Sequence, residues 1–149
     1  MHYLIFLLLF SSIFPTSEHA LKDEFIHDLN ALRNRGCYCG NDWMSGGPVT
    51  WNDRLATSAT LHARQMDRYD FFEHYSRGGK DIGERVRAVG YQWRTIGENL
   101  ARGHRTVDHV LRDWQKSVTH CRVLMNPKFS EMGLAKVGTY WVLHMGKPR

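Results

Sequence analysis

A chain of 149 residues, 42% hydrophobic and 12% aromatic, carries enough apolar surface for one globular domain with a filled core. Its 20 basic and 15 acidic residues leave a net charge of +5. Arg54, Arg64, Arg85, Arg87, Arg102, Arg112 and Arg122 are scattered rather than gathered into a stripe, and no nucleic-acid-reading motif accompanies them. That pattern excludes a nucleic-acid reader and leaves a mildly basic surface suited to an anionic cell envelope.

Residues Tyr3 to Phe14 form an almost unbroken apolar run, shorter than the roughly 18 residues a spanning helix needs. The run fits the core of a signal peptide, although no Lys or Arg precedes it and cleavage after Ala20 sets Glu18 where a small residue is usual. The expected organisation is a leader over 1–20 and one domain over 21–149, secreted or periplasmic, with no integral membrane span once the leader is gone. An uncleaved, weakly membrane-associated leader is the alternative. Removing 1–20 takes away only Glu18 among the charged residues and gives a net charge of +6.

From Asp23 to Arg35, Phe25, Ile26, Leu29 and Leu32 recur at helical spacing, and Gly36 follows as a stop. Cys37 to Pro48, rich in Gly, Asp, Asn and Ser, reads as a loop. Pro48 to Trp51 reads as extended. Asn52 or Asp53 then caps a second helix with Leu55, Ala59, Ala63 and Met66 on one face and His62, a packing histidine, at its edge. His74 follows in an aromatic segment, and a third helix runs from Ile82 to Val89. Gly97-Glu98-Asn99 reads as a turn. Thr106 caps a fourth helix that turns Val107, Val110, Leu111 and Trp114 inward, with His104 and His109 solvated. Met132 to Val137 and Tyr140 to Met145 are strands hinged at Gly138-Thr139. Four helices and about three strands, the last two adjacent, predict helices on both faces of a small, mainly antiparallel sheet.

Three cysteines, Cys37, Cys39 and Cys121, predict one disulfide and one thiol in an oxidising compartment. A bridge across the single residue between Cys37 and Cys39 has poor geometry. Cys121 is therefore the expected partner of Cys37 or Cys39, closing a loop worth about 4 kcal/mol in the chain-entropy model.

His74, Glu98 and His120 are two imidazoles and a carboxylate in separate polar segments, and such a set can hold a divalent metal or polarise a ligand. They lie among ordered pieces: Leu29-Asn30-Ala31-Leu32-Arg33, Leu55-Ala56 to Met66, Phe71-Phe72-Glu73-His74, Gly97-Glu98-Asn99-Leu100, Trp114 to Ser117, His120-Cys121 to Pro127, Phe129 to Gly133, and Tyr140-Trp141-Val142. In that order they resemble the CAP superfamily, the SCP or pathogenesis-related-1 domain, in its bacterial branch. The resemblance implies an α+β fold, a three-layer α-β-α sandwich, with His74, Glu98 and His120 lining one central cleft. Ser117 stands where many eukaryotic members carry a glutamate, which weakens any metal site there.

The expected function is an exported CAP-domain protein whose cleft binds a small ligand, lipid among the candidates, or a divalent metal, with zinc the candidate cofactor. One alternative is a zinc- or water-dependent hydrolase using His74, Glu98 and His120. Ser76 would be its serine nucleophile, yet no nucleophile elbow surrounds it, and no catalytic residue is assigned. Another is a protein-interaction module of the cell envelope, reading a partner through Trp43-Met44 or Tyr91 to Trp93.

Overall fold

The computed structural model describes residues 17–149. Residues 1–16, and with them most of the leader expected over 1–20, lie outside the described residues. Helix α1 spans Ser17–Arg35, starting upstream of the expected Asp23, so residue 20 sits inside it. It ends as expected, with the Gly36 N–H donating to the Leu32 carbonyl at 2.9 Å.

The segment expected as a plain loop contains a hairpin, β1 (Cys37–Cys39) against β2 (Asp42–Met44). Gly40 and Asn41 join the strands, with Gly40 at φ +69°, a conformation that two-residue hairpin turns require. Polar and glycine-rich composition concealed a turn signal that was present.

A short β3 (Thr50–Trp51) leads into α2 (Asp53–Tyr69), whose first turn is held by Asn52 Oδ1 accepting from the N–H groups of Arg54 and Leu55. Helix α3 (Ile82–Ala88) starts at a reciprocal capping box between Asp81 and Glu84. After it come β4 (Trp93–Arg102), α4 (Val107–Lys116) capped by Thr106 as expected, α5 (Val118–Met125), β5 (Glu131–Val137) and β6 (Tyr140–Pro148).

Strands β3, β5, β6 and β4 form one sheet in that order, with β5, β6 and β4 antiparallel and β3 parallel to β5. Gly97-Glu98-Asn99 is thus the middle of a ten-residue strand rather than a turn. Its glycine serves packing: a Cβ at Gly97 would lie 2.8 Å from Phe129 Cζ, so the α5–β5 connection closes directly over the strand. Helix α5 is the fifth helix, where four were expected. It follows α4 with only Ser117 between them, so no loop-length gap in the sequence marks where one helix ends and the next begins.

The sandwich has α2 on one face of the sheet, where Ala59, Ala63 and Met66 pack on Leu100, Ala135 and Val142. On the other face α1, α4 and α5 bury Phe25, Leu29, Trp114 and Leu124 against Trp141, Leu143 and Met145. Each large apolar side chain so buried contributes on the order of 1.5–3 kcal/mol. Arg33, fully buried on α1, donates to the carbonyls of Gly47, Leu124, Asn126 and Phe129. A guanidinium at the C-terminal end of α5 meets unpaired carbonyls and the negative end of the helix dipole. It fixes α5, and with it His120 and Cys121.

Candidate functional site

Along β4, alternation sends Glu98 and Leu100 toward α2 and Gly97, Asn99 and Ala101 toward α5. Antiparallel register sets His144 of β6 directly opposite Glu98, and its Nε2–H donates to Glu98 Oε2 at 2.8 Å. Arg85, brought in by α3, donates to the same oxygen. The other oxygen, Oε1, accepts from His74 Nδ1–H at 2.8 Å. Arg85 also donates to the carbonyls of His74, at 2.6 Å, and Lys80, at 3.1 Å, pinning the loop that carries His74. Glu98 is thereby nearly enclosed, whereas the His74 side chain is 59% exposed.

The electrostatics follow from this geometry. Burial works to raise the Glu98 carboxyl, but hydrogen bonds from His144 and His74 and the charges of His144 and Arg85 outweigh it and hold Glu98 well below the usual carboxylate range. The hydrogen bond to Glu98 raises the His74 imidazole above its ordinary value. His120 moves down, through burial and the neighbouring His74 charge. His62, inward on α2, donates from Nε2 to the Glu73 carbonyl at 2.9 Å. Burial and then the Arg85 charge push it down to about 4.

His74 and Glu98 therefore meet. His120 approaches from the α5 side of edge strand β4, its carbonyl accepting from Asn99 Nδ2 at 3.0 Å, close enough for its imidazole to feel His74. Its imidazole does not join the other two at ligating distance: among the described residues, the three cysteines are the group of three His, Cys, Asp or Glu ligand atoms lying within 4.8 Å of one another. Ser117 sits between α4 and α5 with its hydroxyl 3.2 Å from Thr119 Oγ1. Ser76 Oγ accepts the Lys80 N–H, and Glu84 is taken by its capping box.

A zinc ion held jointly by His74, Glu98 and His120 does not fit these donors. Both Glu98 oxygens already accept hydrogen bonds, and the Arg85 guanidinium would repel a cation at that carboxylate. What the arrangement does well is orient an imidazole. A carboxylate at Nδ1 fixes the tautomer and turns Nε2 away from Glu98, as in second-layer support of functional histidines.

Arg85 and His144 were missed by sequence reasoning. A histidine interrupting the apolar run Tyr140-Trp141-Val142-Leu143-His144 was the available signal for one, and an arginine beside Val86 on the buried side of a short helix was the signal for the other. Two open grooves, of about 810 and 830 Å³, lie elsewhere, one between the start of α1, α2 and the end of β5, the other between α1 and Pro48 to Trp51. The cysteine expectation resolves to Cys39–Cys121, with Cys37 a buried thiol.

This fold and this carboxylate-backed histidine define a CAP-type sandwich. A profile of the cysteine-rich secretory protein family, CAP, matches residues 30–144, and the chain belongs to that family. It is 28% identical over 129 residues to the protein YkwD of Bacillus subtilis, covering 85% of this chain and 47% of YkwD, so it spans about half the length of that relative. An SCP-domain extracellular protein from Bacillus anthracis has a similar fold, with a TM-score of 0.74 and 21% identity over 89% of this chain and 44% of that one. An outer surface protein from Borrelia burgdorferi matches with a TM-score of 0.75 and 19% identity, covering 91% of this chain and 97% of its own. Among the described residues no helix is long and apolar enough to cross a membrane.

Proposed function

We propose that the chain is an exported CAP-domain binding protein that presents His74, fixed by Glu98 and flanked by His120, to a small polar ligand outside the cytoplasm. The observation that carries this reading is the exposed His74 imidazole, 2.8 Å from a carboxylate that Arg85 and His144 keep buried and ionised. Export rests on the apolar leader expected over 1–20, on the Cys39–Cys121 bridge, and on the extracellular and outer-surface descriptions of the two structural relatives.

Protonated His74 donates from Nε2 to an anionic or carbonyl acceptor, and neutral His74 offers Nε2 as a lone pair. A divalent metal then has the His74 imidazole and no free carboxylate, so its binding is weak and is lost on acidification. The exposed His74 imidazole, backed by an ionised carboxylate, favours a polar ligand over a lipid at this site.

The test follows the His74 and His120 imidazole resonances while inorganic phosphate is added near pH 6 and zinc near pH 8. Phosphate is expected to shift His74 and zinc to shift it more weakly, and neither probe moves the remaining resonances in His74→Ala. Resonances indifferent to both probes sink the reading. A second role, protein recognition through β1–β2, is favoured by Tyr38 and Trp43, which are 64% and 58% exposed and stacked edge-on at 5.1 Å.

A further inference from the structure

A strand sends successive side chains to opposite faces, so Cys37 and Cys39 of β1 point inward together while Tyr38 points out. Their shared face meets Cys121 on α5. Cys39 holds the bridge, with a Cα–Cα distance of 5.5 Å, yet the Cys37 sulfur lies 3.8 Å from Cys121 Sγ, near van der Waals contact. All three sulfurs fall within 4.8 Å of one another. Cys121 thus faces two partners. Chain entropy does not choose between them, because the closed loops span 82 and 84 residues. Only local packing can decide.

We propose that Cys37, Cys39 and Cys121 form an intramolecular thiol–disulfide exchange centre, in which the bridge passes between Cys39–Cys121 and Cys37–Cys121. The Cys37 thiol gives its proton to water, and the thiolate attacks Cys121 Sγ to form the new S–S bond. The Cys39–Cys121 bond breaks with its electron pair on Cys39, which takes up a proton in turn. One disulfide and one thiol stand on each side of the step, so no outside oxidant or reductant enters. Burial pushes the Cys37 thiol up, offset in part by the Arg35 charge and a hydrogen bond with Gln115, so the attacking thiolate is scarce and the exchange slow.

The shift of two residues keeps the strand's faces. Tyr38 stays outside in both isomers, while the anchor of the Tyr38–Trp43 hairpin moves along the strand by two residues, about 7 Å. Exchange therefore moves the bridge along β1 without unfolding the strand that carries the exposed aromatic pair.

The experiment uses the oxidised, folded chain, held near pH 8 for increasing times, quenched in acid, and alkylated in denaturant near pH 6.5. Chymotryptic cleavage after Tyr38 separates Cys37 from Cys39, and non-reducing peptide mapping reads which sulfur carries the label. The label is expected to divide, starting on Cys37 and appearing on Cys39 as well as the incubation lengthens. Label on Cys37 alone at every time overturns the proposal. Independently, Cys39→Ser is expected to fold with a Cys37–Cys121 bridge and no free thiol, and a folded Cys39→Ser chain with two free thiols overturns it as well.

Discussion

Arg33 and Arg85 are both buried guanidiniums, and the two regions they organise differ in what neutralises them. Arg33 is surrounded by backbone carbonyls from the Gly47 loop and the end of α5. Arg85 shares its donors between loop carbonyls and the carboxylate of Glu98. The first region stores its charge in connections between segments, and the second keeps a carboxylate ionised beneath an exposed histidine. A buried cation thus serves architecture where its partners are carbonyls, and site chemistry where its partner is titratable.

The contrast can be broken most severely at Arg33. Arg33→Met leaves several buried carbonyls unpaired and is expected to cost about 4 kcal/mol in urea unfolding while His74 titrates as before. A comparable loss together with a changed His74 titration would merge the two regions into one. Glu98→Gln comes next, at about 3 kcal/mol, because it strands the Arg85 charge. Unlike Arg33→Met, it should also bring the His74 pKa down, since Glu98 is what raises it.

The third effect is pH dependence. His62 has its folded pKa depressed to about 4, so the unfolded chain binds its proton first and stability falls as pH drops from about 6.5 toward 4. The expected loss is about 3 kcal/mol, read from urea midpoints, and His62→Phe should flatten that part of the curve. Glu98, depressed as a carboxylate, adds stability present above about 4.3 and lost as pH falls through its folded value. His74 runs the other way: its raised pKa contributes below about 6.5 and fades as pH climbs through the folded value. A stability curve flat from pH 7 to 4 would contradict the His62 assignment. Smallest is His74→Ala, about 1 kcal/mol, because Glu98 loses one of its hydrogen bonds while Arg85 and His144 remain, and the phosphate response is lost.

These regions also mark what could be read from the sequence. Periodic apolar positions gave α2 and α4 with their caps, Asn52 and Thr106, because helix faces and capping are local properties. The β5–β6 hairpin was legible at Gly138-Thr139 for the same reason. Strand β4 was not, since Gly97 resembles a turn residue until Phe129 is known to close over it. His74 and Glu98 were found through the resemblance. His144 and Arg85 required the β4–β6 register and the docking of α3, and no local pattern encodes either. Cys121 was identified as a bridging partner, but the choice between Cys37 and Cys39 depends on distances between β1 and α5.

The central claim is that Glu98 is an orienting carboxylate that fixes His74 through Nδ1 and leaves Nε2 for the ligand. Long-range ¹H–¹⁵N correlation spectra of His74 across a pH titration test this most directly. The account predicts a pKa above 6.5 and, on the alkaline side, a neutral ring protonated at Nδ1 with Nε2 bare. A neutral ring protonated at Nε2, or a pKa at or below 6.5, would contradict it.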